Sequence, residues 1–159
     1  LLSVKAGLRA KEIAGLTWAM VTDSDGQVAD KIALQDTASK GRSGRHIWMH
    51  KELRQALVEL QPMASVTARD HVVRTERQDQ TTAQVIVNLL ACWYRRLGFE
   101  GCSSHSGRRT FITSAARKIS LVGGSLRDIQ AMAGHAALST TQGYIEADSQ
   151  AQRRVVEMI

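Results

Sequence analysis

The chain has 159 residues, of which 43% are apolar, and this length and composition suit one domain with one hydrophobic core. Lysine and arginine outnumber aspartate and glutamate by 21 to 15, and the resulting net charge of +6 favours a polyanionic partner. The sequence contains no apolar run long enough to span a bilayer and no signal-peptide pattern, so we expect a cytoplasmic protein without a membrane contact.

The cysteines and histidines do not form a metal-binding pattern. Cys92 and Cys102 are too few for a disulfide framework, and we expect both to stay reduced. Cys102 and His105 are three residues apart, but a structural zinc site needs about four ligands, and no second pair has finger-like spacing. The sequence therefore predicts no metal and no cofactor.

The N-terminal segment predicts two short helices. Gly7 is a suitable C-terminal stop for the first helix, and residues 8–16 form the second. In the second helix Arg9 and Glu12 are three residues apart and lie on the same face. Such a pair is most often a weak surface ion pair. The functional alternative is a phosphate-binding arginine that the glutamate holds in position.

The segment that follows predicts a small antiparallel sheet. β-Branched and aromatic residues occupy candidate strands at 18–21, 31–34 and 46–49, and turn-forming residues separate them. The last connection, 38–45, is rich in glycine, serine and basic residues, which suits a mobile hairpin tip that enters a DNA groove. Lys40 lies in this connection, where an exposed lysine is normally only solvated.

The middle of the chain predicts two amphipathic helices. The first covers residues 51–61 and ends before Pro62, the only proline. The second begins at a capping box whose first residue is Thr81, and it continues to Leu97. Its apolar residues predict a broad buried face, in which Trp93 is part of the core.

The stretch from residue 102 onward contains the residues with the most chemistry. Ser104 is the predicted N-cap of a helix that begins at His105, so that His105 and Arg108 share one face of its first turn. The N-terminus of such a helix is a suitable phosphate site. A single histidine or arginine here would more often be structural, and only the full arrangement indicates a functional site.

Three further helices are predicted after this one. The first starts at a capping box that opens with Ser125 and ends at Gly134, directly before His135. The second opens at Ser139 and carries Tyr144, and the last covers roughly residues 149–158. The predicted fold class is therefore α+β, mainly α-helical with a small antiparallel β-sheet, in one domain over the whole chain, 1–159.

The order of these motifs resembles the tyrosine recombinases, the phage-integrase family. H-x-x-R at 105–108, then Gly134-His135 and a tyrosine nine residues after that histidine, are similar to the family's catalytic signature. The segment GLRAKEIAGLTW at 7–18 resembles its first arginine box, and SKGRSGRHIWM at 39–49 resembles its lysine-bearing β-hairpin. The resemblance spans almost the whole chain and implies the catalytic-domain fold of this family.

The resemblance implies a DNA strand transferase that works without metal or ATP. Tyr144 would attack the scissile phosphate of double-stranded DNA and form a 3′-phosphotyrosyl intermediate. Arg9 and Arg108 would bind the phosphate oxygens, since guanidinium groups match phosphate geometry. His135 would donate a hydrogen bond to the same phosphate. His105 would assist proton transfer near the nucleophile.

The resemblance also implies roles for residues outside the signature. Lys40 would be the general acid for the departing 5′ oxygen, because an arginine in the same connection is a poor proton donor. Glu12 would support Arg9. Contacts to DNA are expected from three further arginines, namely Arg42, Arg45 and Arg109.

Two features depart from the common family pattern. Gly107 occupies a position of the H-x-x-R motif where leucine is frequent, which weakens helix propensity. A preceding helical domain that closes around the other face of the DNA is expected to be absent from this chain. Family members commonly assemble on DNA as homo-oligomers, and the apolar residues near the C-terminus suit such an assembly or the domain's own core.

Two other functions remain open at this point. A tyrosine-type topoisomerase would use the same active-site residues, because synapsis of two DNA partners decides between strand exchange and relaxation. A non-catalytic DNA-binding remnant of an integrase, as in a decayed prophage, is the second alternative. The DNA target and the biological role, such as integration or excision, cannot be read from the sequence.

Overall fold

The structure is a computed structural model that describes residues 1–36, 38, 44–64, 67–76, 78–145 and 155–158, with residues 63 and 64 as backbone only. In these ranges it is mainly helical with a two-stranded sheet, which confirms the predicted fold class. The elements in chain order are α1 (Leu2–Ala6), α2 (Ala10–Ala14), β1 (Lys31–Leu34), β2 (Arg45–Trp48), α3 (Lys51–Ala64), α4 (Ala83–Arg96), α5 (Ser106–Ile119), α6 (Leu126–Ala133) and α7 (Leu138–Gln142).

The sheet is smaller than the sequence predicts. β1 and β2 pair antiparallel, with Lys31 opposite Trp48. The predicted first strand, 18–21, is instead a 3₁₀ turn at Trp18–Met20. The N–H of Trp18 donates to the carbonyl of Asp70 (2.9 Å), and the hydroxyl of Thr22 donates back to the carbonyl of Trp18 (2.9 Å). The bond from Thr22 closes the local turn, and the bond to Asp70 belongs to a single isolated bridge, so this segment forms no extended ladder.

Two clusters of buried side chains form the core. The larger one joins α1, α2, both strands, α3 and α4, and its fully buried members include Leu8, Leu16, Ile32 and Ile47. The smaller one lies between α5 and α6 and is built on Ile112, Ile129 and Ala133. α1 packs directly against α5, so it connects the two clusters. The candidate site lies at this junction.

The predictions for α3 and α4 need correction. α3 continues through Pro62 to Ala64, where the proline lies within the last turn. α4 is capped by Thr82, whose hydroxyl accepts from the N–H of Val85, and not by Thr81, which is buried. Trp93 is 51% exposed and does not belong to the core. The reason is that α4 contacts α2 with one narrow face, on which Ile86 is buried, while the remaining apolar stripe faces outward.

The C-terminal predictions are confirmed in part. α6 begins at the Ser125 capping box and ends at Gly134, which has a φ of +63°, as expected. The first turn of α5 differs, because His105 itself is the N-cap residue and Ser104 is buried. Tyr144 lies two residues beyond the end of α7 and not on it. The predicted last helix lies largely outside the described residues.

Among the helices of the described ranges, none is both long enough and apolar enough to cross a membrane.

Replacement of Ile112 by alanine tests the smaller core cluster. Ile112 is fully buried between α5 and α6, so Ile112→Ala should lower the free energy of unfolding by about 2 to 5 kcal/mol through lost burial and the cavity left behind. Urea denaturation measures this change. Leu121→Ala is the matched control, because Leu121 is 81% exposed and its loss should change stability little. Equal effects of the two changes would contradict the assignment of this core.

Candidate active site

Glu12 is a fully buried carboxylate that two arginines share. Arg9 is the N-cap residue of α2, and its N–H donates to Glu12 Oε2 (2.8 Å) while its Nη1 donates to Oε1 (2.9 Å). Arg45, on β2, donates to the same two oxygens through Nη1 (3.0 Å) and Nη2 (3.1 Å). The predicted pair of Arg9 and Glu12 is thus a buried three-membered network, which is stronger than a surface ion pair.

The pKa of Glu12 reflects this network. Burial raises the pKa of a carboxyl group, but the hydrogen bonds and positive charges of Arg45 and Arg9 outweigh burial and lower the pKa below its ordinary value. Glu12 is therefore ionised at neutral pH.

Arg45 lies in a place that the sequence did not predict. Its side chain is only 7% exposed, and besides Glu12 it contacts the carbonyl of Met132 through Nε (2.8 Å). A Cβ on Gly134 would lie 2.8 Å from Arg45 Nη1, so glycine is needed here both for its positive φ and for space. The guanidinium of Arg45 is bonded inside the protein, and the expected contact of Arg45 with DNA stays a prediction.

Arg108 is buried at the first turn of α5, with 2% of its surface exposed. Its Nη1 donates to the carbonyl of Gly7, where α1 ends, and its Nη2 donates to the carbonyl of Ala133 (2.6 Å), where α6 ends. Carbonyls at helix ends lack helical partners, so they suit a cation. Burial, together with the charges of Arg9 and Arg45, lowers the pKa of Arg108 to about 10, which still leaves it charged at neutral pH.

His135 is buried between Arg108 and Thr141. Arg108 Nη2 lies 2.9 Å from His135 Nε2, and His135 Nδ1 lies 3.0 Å from the hydroxyl of Thr141. Because a guanidinium only donates, Nε2 accepts and the ring proton resides on Nδ1, which donates to Thr141. Burial and then the charge of Arg108 lower the pKa of His135 to about 4, with smaller contributions from Arg9 and Arg45. The ring is therefore neutral at pH 7.

Tyr144 lies against the ring of His135. The two ring centroids are 5.5 Å apart and the rings are nearly parallel, with an angle of 17° between them. The N–H of Tyr144 donates to the carbonyl of Thr141 (3.1 Å), and Thr113 on α5 donates to the carbonyl of Tyr144 (3.3 Å). The ring of His135 thus contacts both the ring of Tyr144 and the guanidinium of Arg108.

The structure brings together six of the predicted residues, namely Arg9, Glu12, Arg45, Arg108, His135 and Tyr144. Arg9 joins them because its Nη2 donates to the carbonyl of Gly134, directly before His135 (3.3 Å). Three guanidinium groups therefore surround one carboxylate and one neutral imidazole. This surplus of positive charge suits a phosphate, which guanidinium groups bind through charge-assisted hydrogen bonds.

The other predicted residues are placed less closely or are not described. His105 is exposed, its ring contacts the hydroxyl of Ser104 (3.4 Å), and in the described ranges no hydrogen bond joins it to Arg108 or Tyr144. Arg109 is exposed on α5. Lys40 and Arg42 lie outside the described residues. The described part of the chain contains no group of three or more metal-ligating side chains.

One residue of this arrangement was missed by the sequence analysis. Thr141 is fully buried and provides the only hydroxyl that contacts His135 Nδ1 among the described residues. The serine and threonine run that contains it was interpreted as a helix cap. The local sequence offers no signal that distinguishes a capping threonine from one that orients a histidine six residues earlier.

Glu12→Gln should lower the free energy of unfolding by about 3 to 5 kcal/mol at pH 7, because it leaves two arginines without their buried carboxylate. The pKa of Glu12 is lowered, so this stabilisation is present above its ordinary pKa and is lost as the pH falls through the folded-state pKa. The stabilities of parent and variant should therefore converge in acid. Urea unfolding across pH measures this.

The matched control is Glu52→Gln, which removes an exposed ion pair with Lys5 (3.1 Å) and should change stability little. A loss for Glu12→Gln that is as small, or independent of pH, would contradict the buried network.

NMR titration should give His135 a pKa of about 4, well below that of an unperturbed histidine. An unfolded histidine binds its proton near pH 6.5, so the folded state should lose stability as the pH falls from about 6.5 to about 4. His135→Gln identifies the resonance and should lack this share of the pH dependence. A His135 pKa near 6.5 would show that the ring is not held next to Arg108 in solution.

Comparisons with known proteins identify the family and the fold. The family model described as the phage integrase family matches residues 1–151. Among solved structures, XerA recombinase superposes with a TM-score of 0.76 and 25% identity, covering 99% of this chain and 55% of that one. XerH recombinase bound to palindromic difH substrate gives 0.72 and 20%, covering 98% and 42%. The Tn1549 transposon integrase with transposon right-end DNA gives 0.71 and 18%, covering 99% and 56%.

Curated protein sequences contain no match to this chain. The chain spans about half the length of the solved structures that it resembles. The fold is that of the tyrosine recombinase catalytic domain, and the family match extends over nearly all of the chain. The chain therefore belongs to the phage integrase family of tyrosine recombinases.

Proposed function

We propose that this chain is the catalytic domain of a site-specific DNA recombinase that cleaves and rejoins strands through a 3′-phosphotyrosyl intermediate. One observation carries the proposal: Arg108, buried and charged, donates to the same His135 on which the ring of Tyr144 stacks. A nucleophile and a fixed positive charge therefore lie next to each other, as phosphoryl transfer requires.

In the proposed reaction the oxygen of Tyr144 attacks the scissile phosphorus, a bond to the phosphate forms, and the bond to the 5′ oxygen breaks. The phenolic proton of Tyr144 passes to His105, and the 5′ oxygen takes up a proton from Lys40. Arg9 and Arg108 stabilise the charge on the non-bridging oxygens. Because the phosphotyrosyl bond conserves the energy of the original bond, rejoining requires neither ATP nor a metal.

His135 requires a change of protonation to act as a donor. In this structure its Nε2 accepts from Arg108, so it has no proton to give to a phosphate oxygen. A bound phosphate adds negative charge, which opposes the arginine charges that lower the pKa of His135. DNA binding would thus favour a proton on Nε2 and a hydrogen bond to the phosphate.

Two further roles belong to the proposal. His105 is the N-cap residue of α5 and is exposed, so it is accessible for proton transfer near the nucleophile. Lys40, with Arg42, belongs to the connection between β1 and β2 and is proposed as the general acid for the 5′ oxygen. Arg109 is exposed on α5, a position that allows contact with the DNA backbone.

The partner is double-stranded DNA. The XerH structure is bound to palindromic difH substrate and the Tn1549 integrase structure is in complex with transposon right-end DNA. The net charge of +6 in this chain suits a DNA partner. We further propose that the chain acts as a single catalytic domain, that it assembles on DNA as a homo-oligomer, and that it works in the cytoplasm.

Tyr144→Phe should abolish the covalent protein–DNA complex and leave DNA affinity nearly unchanged, because only the nucleophilic oxygen is lost. The assay is incubation with a nicked suicide duplex carrying a target site, followed by a denaturing gel. Tyr94→Phe is the matched control, since Tyr94 is the only other tyrosine and its ring contacts Phe99, on the segment after α4.

The possible outcomes separate the candidate functions. Loss of affinity in Tyr144→Phe equal to the loss of cleavage would make the tyrosine structural. DNA binding by the parent without a covalent band would favour the non-catalytic remnant. A covalent band with relaxation of supercoiled plasmid but no strand exchange would favour the topoisomerase.

A further inference from the structure

Two close contacts join α1 to α5, and each has a glycine on one side. Gly107 faces Ser3, and a Cβ built on Gly107 would lie 2.6 Å from Ser3 Oγ and 3.1 Å from Ser3 Cβ. Gly7 faces Phe111, where a Cβ would lie 2.5 Å from the ring. Ser3 and Gly7 are four residues apart, as are Gly107 and Phe111. The two contacts therefore lie one helical turn apart on the same interface.

The serine in the first contact has no hydrogen-bonding role in the described structure. Ser3 is 7% exposed, and among the described residues its hydroxyl has no hydrogen-bond partner. A buried hydroxyl without a partner costs free energy, so hydrogen bonding does not explain this residue. The side chain of Ser3 fills the space over Gly107. Because glycine has no side chain of its own, α1 and α5 can approach closely at this point.

This interface determines the position of Arg108. Arg108 follows Gly107 directly, and its Nη1 donates to the carbonyl of Gly7, the glycine of the second contact and the C-cap of α1. The distance between α1 and α5 therefore sets where the guanidinium is held. A wider spacing would lengthen this hydrogen bond or move the guanidinium away from His135.

We propose that Ser3 and Gly107 are a matched pair of positioning residues that sets the spacing of α1 and α5 and so holds Arg108 at the scissile phosphate. This inference rests on the proposed function, in which Arg108 binds that phosphate. The pair also explains the glycine at position 107, where the family resemblance implies a leucine. The serine on α1 fills the space that a larger side chain would take. Neither Ser3 nor Gly107 contacts DNA in this proposal.

Gly107→Ala is the direct test. The added Cβ would lie 2.6 Å from Ser3 Oγ, which is about 0.8 Å less than the 3.4 Å of ordinary contact. A displacement near 1 Å slows catalysis by about 10- to 100-fold. We expect that loss in the rate of covalent-complex formation. Ser3→Gly removes the opposing atoms, so Ser3→Gly/Gly107→Ala should recover the rate. Ser3→Gly alone leaves the space over Gly107 empty and should be slower than the double variant. Failure of this rescue would overturn the pair.

A second substrate separates positioning from general loss of structure. A methylphosphonate at the scissile position is neutral, so it depends less on the charge of Arg108 than an ordinary phosphate does. Gly107→Ala should therefore be slowed by about threefold or less on this substrate, and Arg108→Ala should show the same relief. Equal slowing of Gly107→Ala on both substrates would make the contact merely structural and overturn the proposal.

Gly124→Ala is the matched control. Its Cβ would lie 2.7 Å from the side chain of Ile119 at the other end of α5, which is a clash of similar size far from Arg108 along the helix. Thermal unfolding should show a loss of stability for both alanine variants, while the difference between the two substrates should appear only for Gly107→Ala. The same difference in Gly124→Ala would overturn the proposal.

The proposed function can fail separately. If Arg108→Ala is slowed equally on both substrates, the phosphate-binding role is wrong. If the parent forms no covalent complex, the pair is tested by the ¹⁵N resonances of the Arg108 guanidinium. Gly107→Ala should shift these resonances, and the double variant Ser3→Gly/Gly107→Ala should restore them. If Gly107→Ala does not fold, the resonances of Ser3→Gly are compared with those of the double variant, and the two should differ. Resonances that do not change in these comparisons would overturn the pair.

Discussion

The buried carboxylate of Glu12 is the feature on which the rest of the site depends. A guanidinium in the protein interior loses its hydration, and this is tolerated only where a carboxylate or several acceptors replace the water. Glu12 provides both oxygens to Arg9 and Arg45 at once, and these residues belong to α2 and β2. Arg45 in turn contacts Met132 on α6. One carboxylate therefore joins three elements around the site.

Arg108 is held by a different set of hydrogen bonds. It lies close enough to Glu12 for the carboxylate to raise its pKa, but its hydrogen bonds are to the carbonyls at the ends of α1 and α6 and to His135. Neutral acceptors fix the guanidinium without cancelling its charge. A positive charge that is in place before a substrate arrives needs no reorganisation during the reaction, which is the condition for effective electrostatic stabilisation.

Burial and the surrounding positive charge together explain the state of His135. Burial, and then the neighbouring Arg108, hold its pKa at about 4, so the neutral ring accepts from the guanidinium and donates to Thr141. In the proposed function, the same arginine charges that keep this imidazole neutral bind the phosphate. The position of Tyr144, stacked on this ring, depends on the same contacts.

The sequence by itself determined the features that depend on neighbouring residues. The stop at Gly7, the capping box of α6, the two strands and the pairing of Arg9 with Glu12 were all predicted, because caps, glycine and the spacing of three residues act locally. The order of the motifs predicted the family. The motifs also predicted one site with Arg9, His105, Arg108, His135 and Tyr144, of which the structure leaves His105 exposed and apart from the others.

Only the tertiary structure decided the features that depend on distant contacts. Arg45 meets Glu12, Thr141 orients His135, Ser3 faces Gly107, and Trp93 remains exposed because α4 uses a narrower face than its apolar residues suggest. The N–H of Trp18 donates to the carbonyl of the distant Asp70, so this segment makes a single bridge and not a strand. Each of these outcomes depends on which surface another element covers. No local pattern contains that information, since the free energy of burial and pairing is set by the partner and not by the residue alone.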